Sequence, residues 1–69
     1  GFSYIVEVKY ARRDATETDI EALRAAAAIQ LRRYAADPKV HATKGDTELR
    51  LVTLVFKGWK LAVCEMDLA

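Results

Sequence analysis

Apolar and polar positions alternate at a spacing of two near the start of the chain. In "YIVEVKY" (Tyr4 to Tyr10), Tyr4, Val6, Val8 and Tyr10 form one apolar row, which predicts a half-buried strand from about Phe2 to Ala11. The other row reads Ile5, Glu7, Lys9, with an acid and a base side by side on one face. Farther on the period changes. Ile20, Leu23, Ala27, Leu31 and Tyr34 recur at intervals of three and four, the stripe of an amphipathic helix. Two capping boxes compete for its start, Thr18-Asp19-Ile20-Glu21 and Thr16-Glu17-Thr18-Asp19. Asp14, Glu17, Asp19 and Glu21 gather at its beginning and Arg32 and Arg33 near its end, matching the helix dipole. Ala25 to Ala28 favour helix, and Asp37-Pro38 predicts the stop.

Lys39 to Thr47 is polar, contains Gly45 and has no period, so a loop is expected. "ELRLVTLVF" (Glu48 to Phe56) and "WKLAVCEM" (Trp59 to Met66) read as two further strands, with Lys57-Gly58 as a hairpin turn. The first of these is apolar on both faces beyond Arg50, because Leu49, Leu51 and Val55 alternate with Val52, Leu54 and Phe56. That pattern belongs to a central strand covered on both sides. The order strand, helix, strand, strand implies a right-handed crossover between parallel neighbours, followed by an antiparallel strand. The expected fold class is α/β, more narrowly an α+β fragment: a β-α-β-β mixed three-stranded sheet with one helix. One helix covers only one face, so further cover is expected, from more of a domain or from a second copy. The chain opens on Gly1 and enters a strand at once, and residues 1–69 are therefore expected to form one partial domain.

Composition narrows the picture. Sixty-nine residues suffice for one small domain with a thin core. Eleven Lys/Arg against ten Asp/Glu leave a formal charge of +1, which gives no support to strong non-specific attraction to nucleic acid or membranes by the domain as a whole. A local basic patch is invisible to composition. The single cysteine, Cys64, has no partner for a disulfide or a thiolate metal site, and its apolar run predicts a small buried hydrophobe. No run nears the roughly 20 apolar residues of a membrane span and no signal peptide is evident, so no membrane partner and a cytoplasmic location are expected.

The candidate chemistry begins with Glu7 and Lys9. Two apart on a strand, they share a face with Cα atoms roughly 6–7 Å apart. Hard cations such as Mg²⁺ take carboxylate oxygens, and a neighbouring ammonium can polarise a water or offset charge that develops in a transition state. The plain alternative is an edge-strand ion pair, and on spacing alone it is the commoner outcome. Gln30 and Tyr34 lie one helical turn apart on one face. Each also has a structural reading, Tyr34 as the end of the apolar stripe and Gln30 as a solvated flank. Arg32 and Arg33 suit a helix C-terminus whether or not they touch phosphate. His41 lacks a metal-ligand partner, Ser3 lacks a triad, and Lys44-Gly45-Asp46 is too short for a P-loop. Glu65 and Asp67 read as a solvated chain end, and Trp59 as an anchor of the hairpin against apolar neighbours.

Taken together, "YIVEVKY" and the later "AIQLRRYAAD" resemble the second half of the PD-(D/E)xK nuclease superfamily, in which a strand with Glu-x-Lys precedes a helix with Gln-x-x-x-Tyr. The resemblance extends from about Phe2 to Met66 and is nearest to the small nuclease-like domain at the C-terminus of bacterial AAA-ATPase-like proteins. It implies part of a restriction-endonuclease-like fold and metal-dependent hydrolysis of nucleic acid. Glu7 would be the metal-binding carboxylate, the Val8 backbone carbonyl would add to the coordination, and Lys9 would activate the attacking water. Gln30 and Tyr34 would support the site from the helix. Mg²⁺ or Mn²⁺ is implied for the parent protein. The family's first Asp has no counterpart before Phe2, so this piece is expected to be inert by itself and to hold no metal. Its expected partners are nucleic acid, the missing N-terminal part of its own domain and, in isolation, a second copy in a homodimer. The alternative is a non-catalytic dimerisation or docking module attached to an ATPase.

Overall fold

The computed structural model describes all of residues 1–69. Its elements, in order, are β1 (Phe2–Ala11), α1 (Glu17–Ala35), α2 (Pro38–Lys44), β2 (Glu48–Lys57) and β3 (Lys60–Leu68). The sheet order is β1-β2-β3, with β1 parallel to β2 and β3 antiparallel to β2. The fold is α+β with a three-stranded mixed sheet, as the sequence predicts, but it has two helices rather than one. No helix is long and apolar enough to cross a membrane.

Of the two candidate starts, α1 takes Thr16. The Thr16 hydroxyl accepts from the Asp19 N–H (3.1 Å), and the Asp19 carboxylate accepts from the Thr16 N–H (2.9 Å). The Thr16 backbone bond, then the hydroxyl, holds the Asp19 carboxyl below its ordinary range. A lowered folded-state value means this contribution to stability is present above the unfolded carboxylate value and fades as pH falls through the folded one. The expected loop at 39–47 is the first correction. Asp37 accepts from the Lys39 N–H (2.8 Å) and Pro38 sits in the first turn, so the dipeptide that ends α1 also starts α2. In seven residues α2 brings only Val40 against the core, too little for a visible period.

The core lies between α1 and one face of the sheet. Ala27 and Leu31 from the helix meet Leu49, Leu51 and Val55 from β2, and Ile5, Ala35 and Val40 pack against the leucines. The register Ser3↔Leu49, Ile5↔Leu51, Glu7↔Thr53, Lys9↔Val55 therefore puts the Ile5, Glu7, Lys9 row on the helix side. The aromatic row faces away, with Phe2, Tyr4, Val6 and Tyr10 exposed and only Val8 half-buried. Both rows of β1 carry apolar residues, so its pairing with β2 decides the face, not its own alternation. Within the chain β2 is covered on one face, and Val52, Leu54 and Phe56 are half-buried on the bare side.

Two further expectations fail for the same reason. Cys64, opposite Leu54 on the bare face, is exposed. The hairpin turn falls one residue late, at Gly58-Trp59, and Trp59 is 93% exposed instead of anchoring the hairpin. Alternation shows that a strand has two faces; it does not show which one receives a layer.

Candidate active site

β1 supplies the candidate chemistry. Register aligns Glu7 with Thr53 on β2, and Thr53 with Glu65 on β3, all on the helix side. The Lys9 ammonium stands 3.6 Å from a Glu7 carboxylate oxygen, and the Glu7 and Lys9 side chains are 19% and 31% exposed. The pair is thus turned toward the helix layer and half-withdrawn from water. Thr53, the one buried polar residue, sits beside Glu7 in the sheet.

Backbone direction places a third group. The carbonyls of Gly1 and Ala11 accept from the N–H groups of Glu48 and Gly58, each at 3.0 Å. Residues in a strand alternate the side to which they aim both backbone groups. Odd-numbered residues of β1 therefore bond β2, and Val8 points its carbonyl at the open edge, where no strand pairs. Glu7 and the Val8 carbonyl are two oxygen donors adjacent in sequence. They fit a hard divalent cation, which takes one or two protein oxygens and completes its shell with water and phosphate. No group of three His, Cys, Asp or Glu side chains assembles anywhere in the molecule.

The helix contributes less directly. Gln30 is half-buried and Tyr34 exposed, and no hydrogen bond joins either to Glu7 or Lys9. The clefts along the helices, the strand ends and the hairpin turn are lined by other residues than these four. Ser3, set aside as a nucleophile, shares a hydrogen bond with the Thr47 hydroxyl, and His41 is exposed on α2.

Two helix cations and a carboxylate have roles that the sequence reading missed. The Arg24 guanidinium donates to Glu21 (2.8 Å) and reaches Glu65 on β3 (3.6 Å). Glu21 is held below the ordinary carboxylate range chiefly by that hydrogen bond, and Arg24 is held more firmly in its charged form. Glu65 is therefore tied to the helix and is not a freely solvated chain end. The only trace in the sequence was the Glu21/Arg24 spacing of three. Arg32 donates to the Leu68 carbonyl (3.0 Å), so it braces β3 instead of standing free at the helix end.

The family model for the PD-(D/E)XK nuclease superfamily matches residues 1–66. No curated protein and no solved structure matches the chain. A match that begins at the first residue takes in the strand bearing Glu7 and Lys9, the helix bearing Gln30 and Tyr34, and nearly all of the hairpin, and on it the chain belongs to the PD-(D/E)XK nuclease superfamily.

Proposed function

We propose that this domain serves metal-dependent hydrolysis of phosphodiester bonds in nucleic acid, with Glu7 and Lys9 as the reacting pair. The observation that carries the reading is the half-buried pair on the helix side, next to a backbone carbonyl that no strand uses. Glu7 and the Val8 carbonyl would hold Mg²⁺ or Mn²⁺, which when bound draws charge from the phosphoryl oxygens. Lys9 orients the attacking water and offsets negative charge as it grows on the phosphate. Gln30 and Tyr34 steady the substrate backbone from α1. The test is Mn²⁺ binding by the full-length protein, followed by calorimetry. Glu7→Ala is expected to weaken binding at least tenfold, as loss of a metal-supporting group does; unchanged affinity would remove Glu7 from the site.

A second reading, a dimerisation module in place of a nuclease or an ATPase-docking element, rests on the bare face of the sheet. The surface of 5004 Å² exceeds the about 4,300 Å² expected of a 7.7 kDa monomer. On the bare face Phe2, Tyr4, Val6, Met66 and Leu68 are exposed together. Glu48 and Arg50, charged residues at one end of that face, pair with each other at 2.9 Å. Two copies would therefore meet without opposing like charges, and a second copy is the occupant this reading assigns. Sedimentation should show a dimer at micromolar concentration that Val6→Lys converts to monomer. A wild-type chain that stays monomeric at millimolar concentration sinks this reading.

A further inference from the structure

Near-neutral composition conceals a strong local asymmetry. Arg12, Arg13, Lys57 and Lys60 meet at the end of the sheet where β1 passes to α1 and β2 turns into β3. Arg12 pairs with Asp14 at 3.8 Å, but Arg13, Lys57 and Lys60 are in no ion pair. With Trp59 these three line a cleft of about 310 Å³. Lys57 lies one step along the helix-side face from Val55, the register partner of Lys9, which puts the Lys9 and Lys57 Cα atoms about 8 Å apart.

The Trp59 indole has no core role. It is 93% exposed, no cation stacks on it, and it stands at the tip of a two-residue turn. The turn itself is fixed. Gly58 has φ +59°, its N–H donates to the Ala11 carbonyl (3.0 Å), and the Arg13 side chain lies where a Cβ on Gly58 would stand. The absence of a side chain at Gly58 thus lets Arg13 settle across the turn beside the indole. The result is an exposed indole on a backbone-constrained turn, with three cations that are in no ion pair at its foot.

We infer that this end of the molecule binds single-stranded nucleic acid, with an unpaired base stacked on Trp59 and phosphates on Arg13, Lys57 and Lys60. Stacking on an exposed ring needs a base free of its partner, and a cationic groove that follows the backbone supplies sequence-independent attraction. A strand held there directs its neighbouring phosphodiester toward Lys9. The inference deepens the hydrolytic reading and rests on it for its purpose, while its test is independent of metal and cleavage.

Trp59 is the only tryptophan, so its emission reports the site directly. The chain is titrated in EDTA with a fluorescein-labelled oligothymidylate of about 12 nucleotides, within the site sizes of such grooves. Saturable binding with quenching of Trp59 is expected. Three phosphate contacts predict a log–log salt slope of about −2, and Arg13→Gln or Lys60→Gln should each reduce it by about 0.7. By anisotropy, Trp59→Ala should weaken binding about tenfold or more. A blunt duplex of equal length should compete at least tenfold less well. Absent binding, binding with unchanged Trp59 emission, a Trp59→Ala variant as tight as the parent, or an equally good duplex overturns the inference. So does an emission response to phosphatidylserine vesicles in place of the oligomer. Every readout is taken in EDTA and none follows cleavage, so failure of the metal site and failure of this surface are separable.

Discussion

Lys9→Met in the full-length protein should lower divalent-cation-dependent cleavage about 10²–10³-fold, the usual loss when one group that stabilises transition-state charge is removed. Methionine keeps most of the side chain's length and removes only the charge and the donors. Glu7 and the Val8 carbonyl stay in place, so Mn²⁺ affinity should hold, and the loss should fall on kcat more than on KM. Stability should barely change, because a partly exposed ion pair at 3.6 Å contributes at most about 1 kcal/mol. Lys9→Arg is not expected to restore the rate: a planar guanidinium differs from an ammonium in shape and hydration. If Lys9→Met lost metal binding in step with activity, Lys9 would be holding Glu7 in place and not acting on the substrate. Full activity in Lys9→Met would exclude it from the chemistry altogether.

The largest stability effect is expected at Leu51. It is 2% exposed, belongs to the three-leucine cluster with Leu31 and Leu49, and lies in register with Ile5 at the centre of the parallel pair. Truncating a buried leucine to alanine costs about 2–5 kcal/mol, depending on how far the cavity collapses. A chain of this size has roughly 3–10 kcal/mol in total at about 0.05–0.15 kcal/mol per residue. Leu51→Ala should therefore leave a substantial unfolded population at 37 °C, seen as a large fall in the urea midpoint by far-ultraviolet circular dichroism. Ile29→Ala is the matched control. Ile29 is equally apolar but exposed on α1, and surface changes usually stay within about 0.5 kcal/mol. Equal losses at the two positions would mean that the core does not lie between α1 and β2.

What the sequence conveyed well was local and periodic. Three strands, the long helix and the parallel-then-antiparallel order follow from spacings of two and of three or four, reinforced by caps and a glycine turn. The Glu7/Lys9 juxtaposition is equally local, since two residues on one strand need no tertiary information to share a face. The information lost was relational. Tyr4, Val6 and Tyr10 read as the row to be buried, and only pairing with Leu49, Leu51 and Val55 shows that Glu7 and Lys9 belong to the covered side. Arg24 reaching Glu65, and Arg32 reaching Leu68, join residues about 40 positions apart that no spacing connects. Trp59 misled because aromatic bulk in a strand-like run looks like core material, whereas a turn tip has nothing above it to pack against. Pro38 misled because a single residue can both end one helix and begin another.

The parallel pairing of β1 with β2 is the longest closure along the chain. Phe2 meets Glu48 across an intervening stretch that contains both helices, while β2 and β3 are joined by a turn of two residues. Hairpins close within microseconds, and pairings distant along the chain come later because loop-closure entropy opposes them until other contacts are in place. The strand that carries Glu7 and Lys9 thus depends for its docking on contacts made elsewhere in the chain. With β1 undocked, Glu7 and Lys9 would still share a face, but they would lack the Thr53 and Val55 neighbours and the helix layer that withdraw them from water.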